Sequence, residues 1–596
     1  MSLLIKTIQV MNYKSLKNVS LDLDDYIVLF GKNNCGKSSL LEAITLAFTY
    51  SSIKNSDVHD SLEDPSDESK KIIINVMIVP SNDEEEFSDE WTKEFGKDIG
   101  INPETDNNFF AFQTKIEYDP NSETYKNKKY VITEWNDDAE KCIISQRLNR
   151  DSLENINCLL INAQRDIVND INNSQSILSQ LFNNLKLPSE FKKELGSQLE
   201  EANSRLIGES EELSLIQNEL KGTSENNEEI EISTMPKDIE SLSNNLNIYY
   251  KTKYSRHIPI ENLGLGVRSW AVFSSIKASD SIKHRKKENK KIPHHSLTLI
   301  EEPESHIHPQ AQRKLLNDLI SFKGQKIITT HSPYILSQIP LNKMVYVKKE
   351  ESSTFFNKLN IAEFSNDEIL KINRAILNTR GELLFSNVVI LSEGETEEYA
   401  LSIFFNEYFN KKPFELCCNI VGVGGKDNYK PFIRLLEEFN IKWYIFSDGE
   451  QDAINSIQKT IEELFDEDYD EYNNIHILSD FNDFESYLAN EYPQELIEMI
   501  NKEISCEEGY EKDYFGDWRN KTNGQQKGKN KYYDYNGEDG KKRAVTDYLK
   551  RNKVKYGKLC AESICKLDNE DKRIPTAIKK LFDNIRNDKG LCDYGN

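Results

Sequence analysis

The chain has 596 residues, too many for one hydrophobic core, so we expect roughly two to four domains. It contains no apolar run of about 18 residues, which excludes a membrane span. The amino terminus lacks a secretory h-region, and the nine cysteines include no C-x-x-C pair. These features predict a cytoplasmic protein and argue against a structural zinc site.

The most informative motif lies near the amino terminus. Residues 31–39 read GKNNCGKSS, which fits the phosphate-binding pattern G-x-x-x-x-G-K-[ST]. An apolar run at 26–30 precedes the loop and a helix-like segment at 40–44 follows it, so backbone amides and a helix amino terminus can attract an anion. We expect Lys37 to reach the nucleotide phosphates and Ser38 to ligate Mg²⁺. The predicted nucleotide-binding residues of this loop are Gly31, Asn34, Gly36, Lys37, Ser38 and Ser39.

Strands are predicted at residues 72–79, 109–118 and 129–134. The segment from about 168 to 250 differs from them, being rich in Glu, Asn, Ser, Leu and Lys with apolar residues at roughly helical spacing. We interpret it as a helical insertion that forms an arm or a dimer contact. A solvent-facing helical pair with no partner would explain the same composition.

Two further segments are candidates for contact with the nucleotide. Gln164, in the run INAQRD, is positioned in the chain to sense metal and nucleotide. The glycine-containing run 263–269 (LGLGVRS) can present backbone amides to a nucleotide, including one bound by a second subunit, although such runs are also ordinary turns.

Short apolar strands alternate with helical patterns from residue 297 onward, which predicts parallel α/β architecture. The helix-like segment 364–386 has little to pack as a core of its own, so we place a domain boundary near residue 380. The predicted organisation is an ATPase domain whose parts are 1–167 and 251–380, the insertion 168–250 between them, and a second α/β domain at 381–596.

Acidic and histidine side chains follow two of these strands. The apolar strand 297–300 is followed by Glu301 and Glu302. A carboxylate at a strand end is where a P-loop enzyme holds Mg²⁺, so we assign Glu301 to the metal and Glu302 to activation of the attacking water. The strand 326–330 ends at His331, which is placed to contact the γ-phosphate or the water, although a lone histidine is more often packed or capping.

A second set of carboxylates lies in the carboxyl-terminal third. The strand 388–392 leads to Glu393 and Glu397, whose i,i+4 spacing at a helix start can aim both at one point. The strand 442–447 leads to Asp448 and Glu450, and Glu485 follows a third strand. Hard oxygen ligands gathered at strand ends suit Mg²⁺ or Mn²⁺, and two such ions can cleave a phosphodiester. An acidic chain also places single carboxylates at strand ends by chance.

Despite a net charge of −25, residues 519–558 contain 13 Lys and Arg against 4 Asp and Glu, interleaved with five tyrosines. Basic residues with aromatics suit a nucleic-acid backbone and unstacked bases, since binding depends on local patches rather than net charge. A solvated loop explains the same composition, because Gly, Asn and Gln are frequent there.

The motifs GKNNCGKSS, IEEPESHIHPQAQ and TTHSP, in that order, resemble the ABC-type ATPase heads of the RecF/SMC kind, and IEEPE-x-H-x-HPQ is similar to the OLD (overcoming lysogenization defect) family. The later order E-G-x-x-E, GVGG and D-x-E is similar to the Toprim domain. The resemblance implies an α/β chain in which an ABC-type P-loop ATPase head with a helical insertion precedes a Toprim α/β domain. It further implies metal ligands at Glu393, Glu397, Asp448, Glu450 and Glu485, with Glu393 and Asp448 essential for catalysis, and a catalytic lysine at Lys558.

The resemblance also implies an activity: ATP binding and hydrolysis coupled to a DNA endonuclease that uses Mg²⁺ or Mn²⁺. It implies a homo-oligomer, a dimer or larger, and a role in anti-phage defence with a partner such as a helicase or a retron reverse transcriptase and its DNA–RNA hybrid. The 263–269 run departs from the LSGGQ of ABC enzymes, and Glu450 stands where Toprim domains usually have Asp. An ATP-gated DNA-binding scaffold with an inactive Toprim domain is the alternative. A topoisomerase or primase-like enzyme is a further rival.

Overall fold

The computed structural model describes residues 3–51, 53–59, 71–81, 86–102, 105–119, 121–164, 189–210, 249–250, 258–289, 292–377, 380–479, 482–505, 512–528, 531–588 and 591. The chain divides into two compact units. Unit 1 comprises Met1–Phe30, Asn34–Ile335 and Lys349–Phe356, and unit 2 comprises Gly31–Asn33, Leu336–Lys348 and Asn357–Asn596. Among the described helices, none is long and apolar enough to cross a lipid bilayer.

Strands dominate unit 1. They are β1 (Leu3–Tyr13), β2 (Leu16–Asp22), β3 (Tyr26–Phe30), β4 (Ile72–Pro80), β5 (Ile99–Ile101), β6 (Asn108–Asp119), β7 (Thr124–Glu134), β8 (Ile143–Arg147), β9 (Ile156–Ile161), β10 (Tyr249–Tyr250), β11 (Ile258–Pro259), β12 (His295–Glu301) and β13 (Gln325–Thr330). The helices are α1 (Lys37–Phe48), α2 (Asp89–Phe95), α3 (Ser189–Glu209), α4 (Leu265–Asn289), α5 (Pro309–Ile320) and α6 (Pro333–Leu336). Strands β14 (Met344–Glu350) and β15 (Ser353–Lys358) follow.

Seven strands form an antiparallel sheet in the order β2-β1-β4-β6-β7-β8, with β5 beside β6. The central strand β4 is apolar and almost wholly buried, whereas the edge strand β8 is exposed along its length. Helix α1 packs against strands β4 and β6 of this sheet, and Phe48 at its end contacts Phe112 edge-to-face with ring centroids 5.6 Å apart. Burial of these apolar faces holds the helix that follows the phosphate-binding loop.

The second sheet of unit 1 contains four parallel strands in the order β3-β13-β12-β9. Neighbouring strands of this sheet pair up to their carboxyl ends. Thr330 of β13 lies opposite Phe30 of β3, Thr329 of β13 lies opposite Glu301 of β12, and Ile300 of β12 lies opposite Ile161 of β9. Strands β3, β12 and β13 are buried almost throughout, as expected for a parallel sheet covered on both faces. The residues that follow these strands therefore meet at one edge of the sheet.

Unit 2 contains a four-stranded parallel sheet in the order β17-β16-β18-β19, formed by β16 (Val388–Ser392), β17 (Cys418–Gly422), β18 (Lys442–Ser447) and β19 (Ile475–Ile477). A short hairpin consists of β20 (Gln526–Gly528) and β21 (Lys531–Tyr532). Its helices are α7 (Asn366–Ile372), α8 (Glu395–Phe409), α9 (Tyr429–Glu438), α10 (Gln451–Phe465), α11 (Phe484–Glu491), α12 (Pro493–Ser505), α13 (Tyr514–Thr522), α14 (Gly537–Leu549), α15 (Lys553–Ile564) and α16 (Thr576–Asn587).

The predicted insertion at 168–250 lies mostly outside the described residues, apart from α3 and β10, and its role in dimerisation stays a prediction, as do the domain boundaries. The run 263–269 is not an open loop throughout, because helix α4 begins at Leu265. The helical segment expected at 364–386 is interrupted, since α7 ends at Ile372 and a π-helical turn follows at 373–377.

Most tyrosines of the basic region 519–558 serve the core of unit 2. Tyr535 and Tyr548 are buried, and Tyr533 and Tyr556 pack partly against the same cluster. Tyr532, in the hairpin, is 68% exposed. Tyr535 and Tyr548 are therefore committed to the core, while the interpretation of the basic region as a nucleic-acid contact stays a prediction.

Candidate nucleotide and metal sites

The phosphate-binding loop has the backbone of a tight turn. Gly31, Asn34 and Gly36 have φ values of 150°, 59° and 103°, a region that favours glycine and tolerates asparagine. A Cβ atom on Gly36 would collide with the side chain of Thr354, whose hydroxyl donates to the Cys35 carbonyl at 3.0 Å. Thr354 thus fixes the backbone of the loop. Helix α1 begins directly after the loop, at Lys37, and its N-cap residue, Gly36, has no side chain to cap its first turn. This leaves the helix amino terminus open to an anion.

Glu301, at the end of β12, lies beside the first turn of α1. The Ser38 hydroxyl donates to Glu301 Oε1, and the Ala163 amide donates to Glu301 Oε2 at 3.3 Å. A hydroxyl and a carboxylate side by side form the hard oxygen pair that suits Mg²⁺. Gln164, which is exposed, follows directly after Ala163 and so belongs to the segment that contacts Glu301.

Glu302 and His331 face each other at the ends of β12 and β13. His331 Nε2 lies 3.3 Å from Glu302 Oε1. Burial, with a smaller effect from the positive charge of Lys37, lowers the pKa of His331 to about 4. The imidazole is therefore neutral at pH 7 and lies beside the carboxylate as an uncharged ring. Glu302 itself is held with φ 40°, its amide donating to the Thr329 carbonyl at 3.0 Å.

Glu304 is a member of this site that the sequence analysis missed. Its Oε1 accepts from the His331 amide at 2.7 Å and from the Thr330 hydroxyl at 2.8 Å, while its Oε2 is buried without a hydrogen bond among the described residues. Burial raises the pKa of Glu304. Glu304, the third acid of the run EEPE, therefore fixes the backbone at the end of β13. The feature of the sequence that could have identified it is its position next to the two predicted acids, Glu301 and Glu302.

In unit 2, the parallel register brings the predicted carboxylates to one edge of the sheet. Ser392, the last residue of β16, lies opposite Phe446 of β18, so Glu393 and Asp448 both follow neighbouring strand ends. Glu397 is buried in the first turn of α8, where its Oε2 accepts from the Gly394 amide at 2.9 Å. Glu450 is exposed at the start of α10.

Asp448 lies at the centre of these charges. It is mostly buried, and its Oδ1 accepts from the Phe484 amide at 2.9 Å. Burial, followed by repulsion from Glu397, Glu393, Asp483 and Glu485, raises the pKa of Asp448 to about 8. Burial and the charge of Glu450 likewise raise the pKa of Glu393. The carboxylates from three parts of the chain are therefore close enough to perturb one another.

Two lysines from the carboxyl-terminal region offset part of this negative charge. Lys550 forms an ion pair with Asp483, and Lys553 Nζ lies 3.1 Å from Glu485 Oε2. Burial opposes the charged form, but attraction to Glu485 and Asp483 raises the pKa of Lys553. Lys558, the residue assigned from the family resemblance, is 58% exposed and lies 3.8 Å from Glu562 of its own helix. The lysine seen in contact with a carboxylate of the set is thus Lys553.

The chemistry of these donors fits a divalent cation, although no three of the described His, Cys, Asp or Glu side chains already enclose a metal site. Glu485 is 3% exposed, and Lys553 pairs with its Oε2, whereas its Oε1 is buried without a hydrogen bond among the described residues. This buried carboxylate has an oxygen without a hydrogen bond, and it lies near other carboxylates whose pKa is raised partly by like charges. A bound cation would stabilise such a group of carboxylates.

Two protein-family models match this chain. Residues 4–336 match the family described as AAA ATPase domain, and residues 384–449 match the family described as overcoming lysogenization defect protein-like, TOPRIM domain. The chain belongs to the OLD family. Its α/β fold comprises the P-loop ATPase unit followed by the Toprim unit.

Several relatives of this OLD-family chain are known by name. It is 28% identical to the Old nuclease of Escherichia phage P2 over 198 residues, which cover 32% of this chain and 33% of that protein. It is 23% identical to the endonuclease GajA of Bacillus cereus (strain VD045) over 454 residues, which cover 74% of each protein. The first match thus spans about a third of the phage protein. A solved Smc head domain from Pyrococcus furiosus covers 62% of this chain and 100% of its own, at 14% identity and a TM-score of 0.37.

Proposed function

We propose that this OLD-family protein is an ATP-binding and ATP-hydrolysing DNA endonuclease whose cleavage depends on a divalent metal ion. The observation that supports the proposal is the convergence in unit 2 of acidic side chains from separate strand ends, with Asp448 among them. Phosphodiester cleavage needs such a set of hard oxygen ligands. The names of the two relatives above, a nuclease and an endonuclease, agree with this chemistry.

In unit 1, each residue has a distinct proposed role toward ATP. The loop amides and Lys37 bind the phosphates, and Ser38 with Glu301 holds Mg²⁺, which neutralises charge that develops on the phosphates. Glu302 accepts a proton from the attacking water, and the neutral imidazole of His331 orients Glu302. Ser39 and Asn34 complete the loop, and Gln164 approaches from the side of Glu301.

In unit 2, Glu393, Glu397, Asp448, Glu450 and Glu485 are the residues proposed to hold Mg²⁺ or Mn²⁺. A bound ion would activate water and stabilise the leaving oxygen of the phosphodiester. Lys553 holds Glu485 in its orientation through the ion pair between them. Glu450 is exposed and Glu485 is buried, so the proposed ligands differ in their access to solvent.

The proposed biological setting is the cytoplasm, where the protein would act on DNA as a homo-oligomer in anti-phage defence. The described cysteines are free thiols, as in a reducing compartment. Both a helicase and a retron reverse transcriptase with its DNA–RNA hybrid remain open as partners. A phage plaque assay in cells with and without the gene tests the defence role, and a reduced number of plaques is the expected result.

Metal removal tests the proposed nuclease. Supercoiled plasmid treated with the full-length protein should be nicked or linearised with Mg²⁺ or Mn²⁺, and EDTA should abolish cutting, because carboxylates alone cannot activate water at phosphorus. Reactions with and without ATP, followed by agarose gel electrophoresis, show whether ATP gates cleavage. DNA binding without cutting under all these conditions would favour the scaffold alternative, and relaxed, religated circles would favour a topoisomerase.

Lysines of helix α15 provide a second test. We expect Lys553→Ala to lower the cleavage rate by about 10–100-fold, because the loss of a partner that orients a metal ligand has effects of this size. Lys558→Ala should retain most activity, since its ammonium faces Glu562. Lys555→Ala is a matched control in the same helix, because Lys555 pairs with Glu503 rather than with the cluster. Equal losses in Lys553→Ala and Lys558→Ala would contradict the assignment of Lys553.

A further inference from the structure

A tyrosine hydroxyl lies buried against the carboxylates of unit 2. Tyr429, the first residue of α9, has no exposed surface. Helix α9 packs against β18, and the Gly425 amide just before this helix donates to the Glu393 carbonyl at 2.8 Å, so Tyr429 lies at the edge of the sheet where the carboxylates meet. Burial raises its pKa, and the charges of Glu393, Glu397 and Asp448 add to that effect. The Ser447 side chain, just before Asp448, is also fully buried and adjoins the Tyr429 hydroxyl.

Neither hydroxyl is satisfied. In the described part of the chain, the Tyr429 hydroxyl and Ser447 Oγ are both buried without a hydrogen bond of acceptable geometry. A bond between them would use one hydroxyl proton and leave the second without an acceptor. A buried polar group in this state destabilises the fold, and a phenylalanine would fill the same space without that cost. The hydroxyl therefore needs a partner that a different arrangement of the site provides.

The nearby carboxylates have acceptor capacity to spare. Glu397 uses Oε2 for the Gly394 amide, and Asp448 uses Oδ1 for the Phe484 amide, so one oxygen of each remains. Like charges on neighbouring carboxylates oppose a closer approach of these groups to one another. A divalent cation would remove that repulsion and draw the carboxylates together.

We propose that Tyr429 is a positioning residue for the divalent metal ion, its hydroxyl donating to one of these carboxylate oxygens when the ion is bound. The inference rests on the proposed function and deepens it. The hydroxyl does not touch the ion; it holds a carboxylate ligand in one orientation and so favours the arrangement that binds the ion.

The test is Tyr429→Phe in the full-length protein, with Mn²⁺ binding measured by isothermal titration calorimetry without nucleotide. Asp448→Asn serves as the reference for binding elsewhere. We expect the Tyr429→Phe variant to bind Mn²⁺ about 10–100-fold more weakly than wild type. Its melting temperature without metal should be unchanged or higher, because the substitution removes a hydroxyl without a partner.

Tyr444→Phe is the matched control. The Tyr444 hydroxyl donates to Asp588 Oδ2 at 2.9 Å, so its loss should lower metal-free stability and leave Mn²⁺ affinity unchanged. Wild-type Mn²⁺ affinity in Tyr429→Phe would overturn the inference, as would a loss of metal-free stability in that variant. If wild type binds no more Mn²⁺ than Asp448→Asn does, the proposed metal site of unit 2 is wrong, and the inference about Tyr429 fails with it.

Discussion

Glu302→Gln is expected to lower the rate of ATP hydrolysis by about 10²–10⁴-fold, the contribution typical of a general base, while ATP binding is retained. The amide matches the carboxylate in shape and keeps an acceptor oxygen beside His331 Nε2, which lies 3.3 Å from the carboxylate oxygen. It has no negative charge to accept a proton from water. The phosphate-binding loop, Lys37 and the Ser38–Glu301 pair are unchanged, so affinity should be preserved.

The state of His331 gives the prediction a pH dependence. Burial and the positive charge of Lys37 lower the pKa of His331 to about 4, so the ring is neutral from about pH 5 upward. Histidine protonation should therefore cause no change in hydrolysis between pH 6 and 8, the range in which an unperturbed histidine titrates. His331→Gln should lower the rate less than Glu302→Gln, because the histidine only orients the base.

Phosphate release and binding of a fluorescent ATP analogue separate the two steps. Lys37→Ala is the control that should weaken binding itself, since it removes the buried ammonium beside the loop. A Glu302→Gln variant that hydrolyses ATP at the wild-type rate would show that another group takes the proton, and Glu304, whose carboxylate fixes the His331 backbone, would be the next candidate.

Sequence patterns located most of the strand-end residues because these depend on local order. An apolar run followed by a glycine loop or an acid identifies a strand end, and parallel strands bring their carboxyl ends to one edge. The predicted pair Glu301–Ser38 and the group around Asp448 follow from that rule. Residues 3–30 form three strands, because a tight turn between Tyr13 and Leu16 separates β1 from β2.

The residues that were missed depend on how helices pack after they form. Lys553 and Lys558 lie in the same helix, and only tertiary packing shows which ammonium faces Glu485. The tyrosines of 519–558 occur among lysines in the sequence, yet most of them face the core. Tyr429 follows a glycine-rich turn with no pattern that marks it, and the neighbouring carboxylates are distant in sequence.

Asp448→Asn should lower DNA cleavage by about 10³-fold or more, because a lost metal ligand removes several kcal/mol of charge stabilisation in the transition state. The fold should survive, since the amide oxygen can still accept from the Phe484 amide. Cleavage of supercoiled plasmid, quantified over time with Mn²⁺, measures the effect. Asp452→Asn is a matched control, because Asp452 lies on the exposed start of α10 and pairs with Lys426.

The same substitution has an opposite effect on stability without metal. The pKa of Asp448 rises from its ordinary 3.8 to about 8 in the folded chain, so folding favours the protonated form. Wild-type stability without metal is therefore lost as pH rises from about 4 to 8, and the neutral Asp448→Asn variant avoids that loss. At pH 8 with EDTA the variant should melt at a higher temperature than wild type, and Mn²⁺ should stabilise wild type far more than the variant. If Asp448→Asn is less stable than wild type at pH 8 without metal, Asp448 is not held among uncompensated negative charges, and the metal site that depends on that arrangement is wrong.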